Sequence, residues 1–261
     1  MKLLDIFKFE LKHCEYKIIF PLIIINVVFI VFILKECFFT YNLGFDNSLA
    51  LYDRYILIQE LAIEKYIDFI IPSIASIFIL ILMSDDYTSN IYEILEVYSI
   101  EGYNKFIFIR WMMTFFIFFG MSIIYTIFIL SKTNIAGDIY NCNGIFIFDL
   151  RVSAIIIKSL PTLLWYTVLP LISLKVIKNP YICFCIISLY IFMDSYCFLY
   201  IYPFGAMWNA NSYLVMKQFC IENGNKIIGL DLFNIQLKFI LNRILFLLIS
   251  IIGLKYVCRK K

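Results

Sequence analysis

Ser84–Lys105, SDDYTSNIYEILEVYSIEGYNK, is a long polar stretch set between two very apolar runs. It carries Asp85, Asp86, Glu93, Glu96 and Glu101, so it is acidic where a cytoplasmic membrane loop is normally basic. Inside it Ile91, Ile94, Leu95 and Tyr98 recur at i, i+3, i+4, i+7, the spacing of one helix face. Asn90 with Glu93 three residues on reads as a capping box, and Gly102 as the stop. The stretch therefore predicts a short amphipathic helix between two membrane spans, with an apolar face that needs a surface to cover it.

The composition supports the membrane setting. Of 261 residues, 63% are hydrophobic and 16% charged, and the mean hydropathy is +0.89. Soluble domains average about 45–50% apolar and about 25% charged. The chain is expected to be an all-α polytopic membrane protein. A net charge of +3 with scattered basic residues gives no nucleic-acid footprint. The first apolar run begins only at Ile18, after Asp5, Glu10 and Glu15, and no small-residue cleavage site follows it. No cleavable signal is therefore expected.

Six apolar runs, near 18–36, 66–84, 106–131, 152–174, 180–202 and 238–257, each approach the roughly 20 residues that cross a hydrocarbon core. Before them, in residues 1–17, Leu4, Phe7, Leu11 and Cys14 share a helix face beside Asp5, Lys8, Lys12 and Glu15. That pattern predicts an interfacial elbow helix, followed by a six-span domain over 18–261. Lys175 and Lys178 in a tight turn before Pro180, and Arg259-Lys260-Lys261 after the last run, favour the cytoplasm for these ends. Both termini are then cytoplasmic, residues 84–105 form an inner loop, and 37–65, 132–151 and 203–237 are outer segments. Ala206–Phe219 is expected to form a short amphipathic helix on the outer face.

Ionisable residues inside spans are costly and are functional candidates by default. Lys158 and Asp194 fall on consecutive antiparallel spans, each about 9–12 Å below the outer surface at 1.5 Å per residue. They are expected to meet, as a structural ion pair or as a substrate or ion contact; the alternative is that Lys158 snorkels to the outer interface. Arg243 stands with Lys158 and Asp194 as an intramembrane polar candidate, although near the outer start of the sixth span it and Asn242 read as interfacial; Arg110 reads as snorkelling at the inner end of the third span, and Trp111, Tyr200 and Tyr202 as an aromatic belt. The eight cysteines have no metal-ligand spacing; Cys183 and Cys185, on different helix faces, read as buried free thiols. Cys37, Cys142 and Cys220 fall on the outer side, where a disulfide among them stays open. His13 is the one histidine, and no phosphate-binding G-x-x-x-x-G-K-[ST] run occurs. No catalytic residue, no metal site and no cofactor is expected in this chain.

This layout resembles the permease subunit of type-2 ATP-binding-cassette (ABC) exporters. In that family an elbow helix precedes six spans, a coupling helix lies between spans two and three, and a long outer segment separates spans five and six. The family's loop often reads as an acid, Gly-Thr, Glu, a Leu-rich turn, then Pro and a basic residue. Asp86, Asn90-Ile91, Glu93, Leu95 and Lys105 or Arg110 stand at comparable places; Asn90 replaces the glycine, Ile91 the threonine, and no proline follows. Size and layout look most like small permeases of bacteriocin-immunity and drug-export systems. The resemblance implies a plasma-membrane dimer with a like or second permease chain. ATP and Mg would be held by a separate cytoplasmic ATPase docked on Asn90, Ile91, Glu93, Ile94, Leu95, Glu96 and Tyr98. An antimicrobial peptide or drug would be the exported substrate. The rival class is a non-transporting polytopic membrane sensor or assembly factor, which needs no ATPase.

Overall fold

The structure, a computed structural model, describes residues 66–88, 100–139, 150–194, 210 and 229–258, with Ile24, Val27, Val28 and Val31. Every regular element among the described residues is helical. A π-helical turn, Tyr66–Ile70, leads into α1 (Ile71–Thr88). After it come α2 (Ile100–Ile139), α3 (Leu150–Ile177), α4 (Pro180–Phe192) and α5 (Gly229–Val257). Four stretches are long and apolar enough to cross a membrane: Tyr66–Ser84, Asn104–Thr126, Ser159–Ile177 and Leu237–Val257. They match the second, third, fourth and sixth predicted runs, and α4 occupies the first part of the fifth. In the first predicted run Ile24, Val27, Val28 and Val31 are helical and exposed. The elbow helix of 1–17 and the outer segment 37–65 lie outside the described residues.

The chain divides into two compact units. In the first, residues 1–66 with 124–149, the rings of Tyr66 and Tyr125 lie 4.0 Å apart and both are buried. The second, residues 67–123 with 150–261, holds the packing of α3 against α1, α4 and α5.

α5 shows why this second unit belongs in lipid. Leu237, Leu241, Ile244, Leu248 and Ile251 recur at three- and four-residue steps and are exposed. On the other side Asn242, Arg243, Phe246 and Ser250 are buried. A helix in water turns its polar stripe outward; here the polar stripe points in and the apolar stripe out. That inversion, with the length and composition of the spans, describes a helical membrane-embedded protein. Gly253 continues the inner stripe. A Cβ there would stand 2.6 Å from Ile172 Cδ1 and 3.0 Å from Val168 Cγ1, so any larger residue would require these side chains to shift.

The turn between α3 and α4 follows from its residues. Lys178 takes a left-handed φ of 59°, and its N–H donates to Leu174 O at 2.9 Å, closing the end of α3. Asn179 Oδ1 then accepts from the N–H groups of Tyr181 (3.0 Å) and Ile182 (3.3 Å). Pro180 occupies the first helical position, where its missing N–H costs nothing. The tight turn expected from Lys175–Pro180 is present.

Several sequence expectations need correction. Gly102 does not end a helix; it lies inside the first turn of α2, because glycine stops a helix only where it takes the left-handed conformation itself. α2 continues through 132–139 and α5 begins at Gly229, so both helices extend beyond the bounds of the third and sixth predicted runs. Ala210 is non-helical and fully buried rather than part of a helix lying on the outer face. Cys183 is buried, but Cys185 is exposed.

Candidate functional site

The polar interior of the second unit concentrates at one node, near the N-terminal ends of the Ser159–Ile177 and Leu237–Val257 spans. Asp194 follows the end of α4 and is fully buried. Its Oδ2 accepts from Tyr166 Oη at 2.6 Å, and its Oδ1 from the backbone N–H of Ala210 at 2.7 Å. Both distances suit hydrogen bonds to a charged acceptor. Ala210 is held from its other side too. Its carbonyl accepts from Thr162 Oγ1 at 2.7 Å and from a terminal guanidinium nitrogen of Arg243 at 2.9 Å. The same nitrogen donates to Thr162 Oγ1 at 2.9 Å.

Arg243 completes its fork on its own neighbour. Nε donates to Asn242 Oδ1 at 2.8 Å, and the second terminal nitrogen donates to the same oxygen. The guanidinium carbon lies 5.4 Å from the ring centre of Phe239 and 5.9 Å from that of Phe246. The buried carboxylates of Asp68 and Asp194 both interact electrostatically with Arg243. An arginine inside a membrane is costly unless its charge is matched and its donors satisfied. Here both conditions are met by side chains from separate helices and one loop peptide.

Aromatic rings seal the node. Tyr166 and Tyr190 lie 5.9 Å apart, Trp165 and Phe246 also 5.9 Å, and Trp165 Nε1 donates to Tyr190 Oη at 2.7 Å. Counting along the helices at about 1.5 Å per residue, Thr162 is about 4.5 Å and Arg243 about 9 Å in from the N-terminal ends of their spans. Asp194 is about 21 Å beyond Pro180, which puts it at a similar level in a core roughly 30 Å thick.

The node corrects one expectation and extends another. Asn242 and Arg243 are not interfacial: both are buried and bonded inside the unit, because matched charges there outweigh the gain from snorkelling. Asp194 is buried as an intramembrane acid should be, held by Tyr166 and Ala210. The Lys158 side chain, its expected partner, lies outside the described residues. Asp68 was missed although it is an acid inside an apolar run. Thr162, Tyr166 and Ala210 carry no signal that separates them from other small or aromatic residues of this sequence.

Near the start of α2 the expected snorkelling of Arg110 also fails. Arg110 is buried, donates to Leu82 O at 3.2 Å and to Met83 Sδ at 3.9 Å, and stacks over the Phe106 ring at 3.9 Å. The carbonyl of a neighbouring helix is a better partner than a distant headgroup. Trp111 is likewise buried rather than in a belt, its Nε1 donating to Thr167 Oγ1 at 3.1 Å. Tyr200 and Tyr202 lie outside the described residues. So do Asn90, Ile91, Glu93, Ile94, Leu95, Glu96 and Tyr98, and Cys37, Cys142 and Cys220.

A second cation closes the end of α5. Lys175 Nζ donates to Tyr256 O at 2.7 Å and to Val257 O at 2.9 Å, the carbonyls that a helix C-terminus leaves without partners. It also lies 4.9 Å from the Tyr256 ring centre. Burial pushes the neighbouring Cys258 thiol up, while Lys175 pulls it the other way. Among the described residues no group of three or more His, Cys, Asp or Glu side chains is placed to hold a metal ion.

No protein-family profile, curated protein or solved structure matches the chain.

Proposed function

We propose that this chain is the membrane-spanning permease subunit of an ABC exporter. Two permease chains in the plasma membrane, like or unlike, form the pathway, both termini of each facing the cytoplasm. Separate cytoplasmic ATPases, each docked on Ser84–Lys105, drive it. The substrate class that fits the layout is an antimicrobial peptide or drug, moved outward.

One observation carries most of the reading. Arg110 of α2 grips the Leu82 carbonyl of α1, tying the inner ends of two spans on either side of Ser84–Lys105. A segment that receives force from a soluble partner needs its two attachments to move together, and this bond supplies that. The acidic character of the segment also disfavours anionic inner-leaflet lipid and favours a protein surface. Closure of an ATPase pair on nucleotide would then shift the spans between inward- and outward-facing states.

The test is a mild-detergent pull-down of the tagged chain from its native membrane. An ATPase is expected to co-purify, and Glu93→Lys with Leu95→Asp is expected to abolish that while leaving the membrane level unchanged. Purification free of any ATPase, or co-purification indifferent to the double substitution, rejects the docking assignment.

A further inference from the structure

The outward stripe of α5 does not end in an apolar residue. Leu237, Leu241, Ile244, Leu248 and Ile251 are each about half exposed, and the next step of four residues along the same line is Lys255, also exposed. At 3.6 residues per turn this line runs opposite Gly253 and Phe246, which meet Ile172 and Trp165 of α3. From Leu237 to Lys255 it rises about 27 Å, close to the roughly 30 Å of a hydrocarbon core. Lys255 therefore stands at the edge of the apolar layer.

Side-chain size and charge together say what covers the stripe. Interfaces between membrane helices are enriched in small and polar residues, which let backbones approach and supply hydrogen bonds. Gly253 plays that part on the α3 side. The outward line holds only large aliphatic side chains before its lysine, a surface for acyl chains. Lys255 is not spent on closing its own helix, because Lys175 donates to the Tyr256 and Val257 carbonyls at 2.7 and 2.9 Å. Nor does any Asp or Glu occur in residues 150–193 or 232–261. An exposed cation at the hydrocarbon edge, with no acid in these stretches of α3, α4 and α5, complements an anionic headgroup.

We propose that this face of α5 is a phospholipid site, on which an acyl chain lies along Ile244, Leu248 and Ile251 while Lys255 holds the headgroup phosphate of an anionic lipid. A second copy of the chain would then meet this one on some other face. The site needs no ATPase partner, so it stands or falls separately from the permease reading.

The full chain carrying the photo-cross-linker p-benzoylphenylalanine in place of Ile251, one turn from Lys255, reads what touches the stripe. It is reconstituted at high density in vesicles of equal parts phosphatidylglycerol and phosphatidylcholine, illuminated, and examined by intact-protein mass spectrometry. Phospholipid adducts are expected as the main product, with phosphatidylglycerol captured about fivefold over phosphatidylcholine, the scale of one lysine near an anionic surface. Lys255→Gln is expected to bring the two lipids to equal capture. Lys238→Gln removes the same charge from an exposed position at the other end of the span and is expected to leave the preference unchanged. A cross-linked pair of chains as the main product overturns the proposal. So do equal capture of the two lipids by the parent, a preference that survives Lys255→Gln, and one that falls as far with Lys238→Gln.

Discussion

The buried node around Arg243 and the end of α5 around Lys175 use the same elementary contact, a cation donating to backbone carbonyls. They differ in what surrounds it. Arg243 reaches the Ala210 carbonyl inside the unit, beside two buried carboxylates and two aromatic rings. Lys175 reaches the last carbonyls of α5 at the membrane end, where it is only partly buried. In the interior a lost contact leaves a buried donor short of an acceptor in low dielectric; at the end water replaces it. The same bond is therefore costlier to lose in one place than in the other.

That difference sets an order of expected effects, each measured as unfolding free energy or melting temperature in one detergent. Arg243→Gln breaks a buried charge set and is expected to cost about 3–5 kcal/mol. Gly253→Ala forces a Cβ against Ile172 and Val168; overpacking of this kind costs roughly 1–3 kcal/mol. Asn179→Ala removes the N-cap of α4 for about 1 kcal/mol. Lys175→Ala, at the exposed end of the series, is expected to cost less than about 1 kcal/mol. If Lys175→Ala proves as damaging as Arg243→Gln, burial is not what separates the two regions.

The fold was more legible than the node, for physical reasons. Crossing a membrane demands about 20 apolar residues in a row, and that demand is written locally: four runs, from Tyr66, Phe106, Val152 and Lys238 onward, became long apolar helices. The turn at Lys178-Asn179-Pro180 was legible for the same reason, since its cap, its proline and its left-handed residue are neighbours. The node was not. Its parts come from α3, α5, the end of α4 and a loop peptide, and nothing local tells Thr162 from any other threonine. Asp194 and Arg243 did announce themselves, because an ionisable residue in an apolar run is rare. Their partners were misjudged, because a sequence shows how far a charge is from a span end and not what faces it. Arg110 repeats the lesson: near the inner end it read as snorkelling, and it turned inward to Leu82 instead.

The most direct test of this account is a double-mutant cycle on Asp194→Asn and Arg243→Gln, read as unfolding free energy in lipid. If the two charges are one buried unit, each single substitution strands its partner and the double variant is less damaged than the sum of the singles. The expected coupling is within about 0.5–3 kcal/mol. Strictly additive losses would show that Asp194 and Arg243 act independently, and would contradict the account.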